Sequence, residues 1–326
     1  ITTRLVGSEM CIRDSIKTLS KKMLAIVAAG AMTMGLAMPT SVFAAEGDTA
    51  TKVTEAYISK TFNREVAKDE TFSFTATQVA GSTADVTIPN ISFSGTETGT
   101  TTQRAQVSFP TSWPDAGKYE YTVKETEATP AITGEHQKMI MSHAEYTMDV
   151  YVINGDNGLE ISNIIVNKTK DDKGTAVTGK VDISNTDKNG FNFTNTYVQE
   201  AGTGTDPVNP GPDYTTYGSL DVSKKIKTDA ADTADTNKEF EFTADFTFPN
   251  GTDATTLGAK ATIGDSTTSI TGTSHTFKLK HGQDVKFTGL PVGTKISVTE
   301  SATPNYKGSA ELSLIHISEP TRRVVI

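Results

Sequence analysis

Short runs in which every second residue is aromatic or β-branched, with polar residues between, recur along this chain. The clearest are Phe72-Ser-Phe-Thr-Ala-Thr, Tyr119-Glu-Tyr-Thr-Val, Tyr146-Thr-Met-Asp-Val-Tyr-Val-Ile and Phe191-Asn-Phe-Thr-Asn-Thr-Tyr197. Successive side chains on an extended strand point to opposite faces, so a period of two marks a strand with one face in a core. Asn154-Gly-Asp-Asn-Gly158 and Asp187-Lys-Asn-Gly190 supply turn chemistry between such runs. A calcium-loop reading would need more carboxylates at the EF-hand spacing, so both read as hairpin turns. These patterns predict an all-β fold, and 326 residues suffice for about two domains.

Composition excludes several function classes. A formal net charge of −9 argues against a nucleic-acid-binding surface, which needs a basic patch. A single cysteine rules out a disulfide framework and any multi-cysteine zinc or iron–sulfur site. Five scattered histidines include no H-x-x-x-H pair, so no metal and no cofactor is expected. No nucleophile–base pair of a secreted hydrolase is visible, so no turnover enzyme is expected.

The two flanks read differently from the rest. Of six arginines, Arg4, Arg13, Arg322 and Arg323 lie in them, as does Cys11. The stretches Val6-Gly-Ser-Glu-Met-Cys-Ile-Arg-Asp-Ser15 and Leu314-Ile-His-Ile-Ser-Glu-Pro-Thr-Arg322 read as translated sequencing adapters. Residues 1–15 and 313–326 are therefore set aside as artefact. Lys17, Lys21 and Lys22 then precede an apolar run from Met23 to Met38, followed by Pro39 and the small-residue site Val42-Phe-Ala44. That order is a secretory signal peptide over 16–44, expected to be helical and cleaved after Ala44. The run is short for a bilayer span, so no retained membrane span is expected.

Between the flanks the chain divides in two. A strand-rich block covers 50–198, a Pro/Gly linker 199–216, and a second strand-rich block 217–312. The blocks echo each other: Phe72-Ser-Phe-Thr-Ala76 recurs as Phe240-Glu-Phe-Thr-Ala244. Each copy follows a strand holding a lysine, Lys60 or Lys224, and precedes a strand ending in a glutamate, Glu125 or Glu300. Such a repeated module suits a stalk better than a one-site enzyme.

Side-chain parity selects the residues that face inward. Ile58, Lys60 and Phe62 share a face; so do Tyr119, Tyr121, Val123 and Glu125; so do Phe191, Phe193, Asn195 and Tyr197, which turns Asn192 outward. An amine, a carboxyl and a carboxamide thus project toward one core, where a lone charge would cost several kcal/mol. Spacing alone leaves open a plain buried ion pair with an asparagine nearby, or charges held at strand ends. In the second block Leu220, Val222, Lys224 and Ile226 share a face, as do Ile296, Val298 and Glu300. The closing strand with its asparagine is not readable there, so that sandwich is expected to be incomplete, with an open sheet edge and no second cross-link.

Lys60, the run Tyr-x-Tyr-x-Val-x-Glu125 and the ending Phe-x-Asn195-Thr-Tyr197 resemble the pilin isopeptide-linkage domain of Gram-positive surface proteins, over about residues 50–198. Leu220-Asp-Val-Ser-Lys224, Phe240-Glu-Phe, Gly289-Leu-Pro and Val298-Thr-Glu300 resemble pilin and collagen-adhesin B-type repeats. The resemblance implies two tandem immunoglobulin-like β-sandwiches and an autocatalytic amide between Lys60 and Asn195. In it Glu125 would polarise the carboxamide and shuttle protons, and Lys224 and Glu300 would be the second block's counterparts. It further implies a structural pilin or stalk subunit, secreted and displayed at the cell surface or wall. Its partners would be other pilin subunits or, through sortase, the cell wall, with an anchor outside the readable chain. The alternative is an adhesin binding host matrix or glycans through exposed loops, for which Trp113 gives thin support, a packing role at a strand entry being the favoured reading of that residue. Leu290-Pro-Val-Gly-Thr294 reads as a turn and not a sorting motif. Lys168 and Lys170 are polymerisation candidates only by their polar surroundings, and His136 and His143 read as exposed.

Overall fold

The computed structural model describes residues 52–126, 133–202, 214–216, 218–228 and 234–311. The adapter readings at 1–15 and 313–326, the signal peptide at 16–44 and most of the linker lie outside the described residues.

The first sandwich contains β1 (Tyr57–Arg64), β2 (Glu70–Phe72), β3 (Phe74–Ala80), β4 (Ile91–Phe93), β5 (Gly99–Gln106) and β6 (Gly117–Glu125), followed by β7 (Thr133–Gly134), β8 (Gln137–Ile140), β9 (Glu145–Gly155), β10 (Gly158–Lys170), β11 (Ala176–Val181) and β12 (Gly190–Gln199). One sheet runs β5-β1-β12-β8-β7, the facing sheet β11-β10-β9-β6-β3, and β2 pairs with β4 in a small ribbon. A core of Ile58, Phe62, Tyr119, Tyr121, Val123, Met148, Phe191 and Phe193 fills the space between them. This is the all-β, immunoglobulin-like sandwich expected from the alternating pattern.

The first and last strands are neighbours, and they run parallel, in register from Tyr57 opposite Gly190 to Arg64 opposite Tyr197. Seven of the eight residues of β1 are buried, which suits a central parallel strand covered on both faces. The pair starts where β12 has a glycine, since a Cβ on Gly190 would meet the Tyr57 carbonyl oxygen at 2.8 Å. The hairpin of β9 and β10 closes on Gly155 opposite Gly158, as the turn chemistry predicts. The Phe72–Thr77 run is not one strand. It breaks at Ser73, so Phe72 joins the ribbon opposite Ile91 while Phe74 pairs with Glu125. Two aromatic positions with one residue between them thereby serve different parts of the core.

The second sandwich contains β13 (Leu220–Ser223), β14 (Phe240–Thr247), β15 (Lys260–Ile263), β16 (Ser266–Ser269), β17 (Ser274–Leu279), β18 (Asp284–Thr288) and β19 (Lys295–Glu300). Its sheets run β13-β18-β15-β16 and β17-β14-β19 around Phe240, Phe246, Leu279, Val285 and Phe287. Among the described residues β13 pairs on one side only, with β18.

The exit of β12 is tied to the second sandwich. Glu200 forms a β-bridge with Pro291, the Ala201 N–H donates to the Leu290 carbonyl (2.8 Å), and the Val292 N–H donates to that of Gln199 (2.8 Å). Residues 199–201, expected to begin the linker, are thus held in strand pairing. The expected turn at Leu290–Thr294 is present, closed by the Thr294 N–H on the Pro291 carbonyl at 3.1 Å.

Candidate functional site

The parallel register places Lys60 opposite Phe193 and Phe62 opposite Asn195. Parity then sends the Lys60 and Asn195 side chains to the same side of the sheet, two residues apart along the ladder. Glu125, the last residue of β6, reaches them from the facing sheet. Lys60 and Asn195 are fully buried and Glu125 is 6% exposed. The Lys60 Nζ donates to Glu125 Oε2 at 2.6 Å, and the Asn195 Nδ2 donates to Oε1 of the same carboxyl at 2.6 Å. One carboxyl bridges the amine and the amide.

The surroundings favour the uncharged forms. Burial lowers the Lys60 pKa from its ordinary value to about 8, against the opposing pull of the Glu125 charge. Burial likewise raises the Glu125 pKa, with the Lys60 charge acting the other way. The Phe72 ring sits 4.2 Å from Nζ and packs edge-on against Phe62 and Phe93. Phe74 and Tyr146 close the other side by packing on Phe193. A cleft of about 490 Å³, lined by Thr75, Lys124, Ser142, His143 and Lys170 among others, reaches Glu125 from the surface.

The carboxamide orientation is set by an unambiguous donor. The backbone N–H of Ser142 points at Asn195 at 2.7 Å; an N–H can only donate, so the atom facing it is Oδ1. Nδ2 therefore faces Glu125, with Met141 Sδ 3.3 Å away. Glu125 meets the carboxamide at its nitrogen, and the carbonyl oxygen is met by the Ser142 backbone N–H. The Ser142 segment is held by Asp172, whose Oδ1 accepts from Ser142 Oγ (2.6 Å) and from the Thr194 N–H (2.9 Å).

The second sandwich repeats part of this arrangement. Lys224 Nζ lies 2.5 Å from Glu300 Oε1 and 4.1 Å from the centre of the Phe240 ring. Phe242 pairs with Glu300 across strands as Phe74 does with Glu125. The side chains are 14% and 24% exposed, so the pair is wetter than the first. Among the described residues no asparagine hydrogen-bonds to it, and Asn305 is exposed in a turn at φ +67°.

Other sequence-selected residues fall elsewhere. Trp113 is 7% exposed and packs 4.6 Å from Tyr119, so it is a core residue and no surface binding aromatic. His143 is exposed as expected. His136 is not simply exposed: its Nδ1 lies 2.6 Å from Glu200 and its ring stacks on Tyr214 at 3.8 Å. Lys170 pairs with Glu145 at 3.0 Å, and Lys168 lies 3.7 Å from Asp172. Strand parity does not pick out Phe72, Ser142 or Asp172 as site residues. Only Phe72 carries a sequence signal, the Phe-x-Phe repeat beside each lysine and glutamate. Among the described residues no cluster of metal-ligating side chains occurs, and no helix is long and apolar enough to cross a membrane.

Residues 50–198 match the family model of the Spy0128-like isopeptide containing domain. Over this segment the chain is similar to isopeptide-containing domains of that family. The match begins seven residues before β1 and ends one residue before the end of β12, so it takes in Lys60, Glu125 and Asn195 together. Residues 218–322 match a domain of unknown function, DUF7601. Among solved structures, the chain is similar to the major pilin protein T-13 of Streptococcus pyogenes at 18% identity, covering 78% of this chain and 84% of that one, with a TM-score of 0.34. It is similar to the T3.2 major pilin of the same organism at 22% identity, covering 77% and 83%, with a TM-score of 0.31. No curated protein matches the chain.

Proposed function

We propose that Lys60 and Asn195 form an intramolecular amide with Glu125 as the proton carrier, and that the protein is a structural pilin or stalk subunit whose first sandwich is locked by that bond. The observation that carries this reading is the single buried carboxyl bridging the Lys60 amine and the Asn195 amide nitrogen. Burial favours a neutral amine, which is the nucleophilic form. The Lys60 nitrogen attacks the Asn195 Cγ, and the carbonyl electron pair moves to Oδ1. The carboxyl of Glu125 gives its proton to Nδ2, the Cγ–Nδ2 bond breaks and ammonia leaves. The attacking nitrogen returns a proton to Glu125, so the acid is regenerated and one lysine plus one asparagine become one amide plus ammonia. The reaction runs once per molecule and is self-modification. Contact between the groups supplies the effective concentration that the uncatalysed reaction lacks.

The cross-link would close a loop of 195 − 60 = 135 residues. In the chain-entropy picture this is worth on the order of 5 kcal/mol, less any strain. Because it joins the first and last strands, tension along the chain would load a covalent bond and not strand hydrogen bonds. That would suit a secreted, wall-attached subunit that polymerises with its own kind through sortase. Residues 217–312 are proposed as a second module after the 199–216 linker. In it Lys224 and Glu300 are the corresponding amine and acid, without an asparagine partner among the described residues. Intact mass of the full chain tests the reading: loss of about 17 Da, one ammonia, is expected. An unshifted mass overturns it.

A further inference from the structure

We infer that the backbone N–H of Ser142 is the oxyanion donor of amide formation, held over the Asn195 carbonyl by Asp172. The inference rests on the amide-forming reading above and assigns the carbonyl oxygen, to which Glu125 makes no hydrogen bond.

The geometry leads there in three steps. The chain leaves β8 after Ile140, which pairs with Thr196, and crosses to β9 on the facing sheet. Ser142 lies in this crossing and is 5% exposed, so its N–H must find a partner inside the protein. It finds the Asn195 side chain at 2.7 Å. Second, attack at Cγ places negative charge on Oδ1, and the donor is already aimed at that atom. A hydrogen bond to a developing oxyanion strengthens as charge appears, which is what lowers the barrier. Third, the donor is anchored from two sides. The Asp172 carboxylate takes the Ser142 hydroxyl and the Thr194 N–H, and the Asp172 carbonyl takes the His143 N–H at 3.0 Å. Thr194 adjoins Asn195, so a single residue fixes donor and acceptor segments relative to each other. Division of labour follows: Glu125 moves protons between the two nitrogens, Ser142 stabilises charge on the oxygen, and Asp172 is a positioning residue.

The test uses cell-free synthesis of the full chain, with the 17 Da loss followed by intact mass against time. Delivering the α-hydroxy analogue of alanine at position 142 replaces the N–H by an ester oxygen and is compared with Ser142→Ala. The ester is expected to slow amide formation about 100- to 1,000-fold, the usual effect of removing one oxyanion donor. Asp172→Ala should also slow it, while Asp172→Asn, whose side-chain oxygen still accepts, should restore most of the rate. The Ser142 amide proton resonance should move upfield in Asp172→Ala and not in Asp172→Asn, a change that general loosening of the fold would not confine to one amide. An ester variant that reacts at the Ser142→Ala rate overturns the inference. If the ester chain does not fold by circular dichroism, equal rates in the two Asp172 variants overturn it instead. A parent chain that never loses ammonia overturns the amide-forming reading itself, which is a separate outcome.

Discussion

The ring of Phe72 lies 4.2 Å from the Lys60 Nζ, and Phe240 stands in the same relation to Lys224 at 4.1 Å. The aromatic residue that opens each Phe-x-Phe repeat covers a lysine, and only at Lys60 is the covered site fully dry. Phe72→Ala should let water reach Lys60, raise its pKa toward the ordinary lysine value and slow ammonia loss. It should also cost about 3–5 kcal/mol for the emptied core site. Phe72→Leu should recover most of the rate. Timed intact mass with urea denaturation checks both, and unchanged kinetics in Phe72→Ala would remove the ring from the mechanism.

Glu125→Gln keeps the side-chain shape but cannot carry a proton between the two nitrogens. Its mass should stay unshifted, and its melting temperature should fall by roughly 10–20 °C as the cross-link is lost. The parent chain should lose one ammonia only, and Lys224→Arg should leave that loss unchanged. Loss of a second ammonia would show that the Lys224–Glu300 pair had found a carboxamide.

The Lys60 amine gives the uncross-linked chain a signed pH dependence. In the uncross-linked parent chain burial lowers the folded Lys60 pKa from 10.5 to about 8, and Asn195→Ala should retain that lowering because it leaves the lysine buried and unable to react. Between those values the unfolded chain holds a proton that the folded chain has released, so stability rises with pH across the window. Below about pH 8 both states hold the proton, and the penalty for burying it is fully present. Urea titrations of Asn195→Ala against the same chain with Lys60→Met isolate this slope, and parallel curves would refute it.

Glu200 holds the exit of β12 against the second sandwich, its Oε1 accepting from the Gly289 N–H at 2.6 Å. Glu200→Ala leaves that buried donor unpaired, at a cost of about 1–3 kcal/mol. Glu200→Gln retains an acceptor and should lose less. Amide hydrogen exchange at Gly289 should quicken in the alanine variant; protection equal to the parent would mean another acceptor has taken over.

Much of the site was legible because a strand's two-residue period is local. Parity alone separates Asn195, fully buried, from Asn192, which is exposed. It also put Lys60, Glu125 and Lys224 on inward faces. What parity could not reveal is contact made by segments outside strands. Ser142 meets Asn195 across 53 residues of sequence, from a crossing with no periodicity. Asp172 sits in a turn whose composition reads as solvent-facing, and His136 finds Glu200 64 residues away. The break at Ser73 was hidden for the opposite reason. Phe72 and Phe74 satisfy one period perfectly, and only the separate demands of the ribbon and the facing sheet pull them apart.

The cleft that reaches Glu125 bears on reversibility. If the amide forms, ammonia released beside that carboxyl would drain to bulk water and be diluted away, leaving the reverse reaction without its second reagent. The closure would then be a ratchet: a molecule that had once clicked shut would carry the mark through every later unfolding. Old and new copies of the protein would differ by a permanent stitch, and an ageing population would become steadily harder to undo.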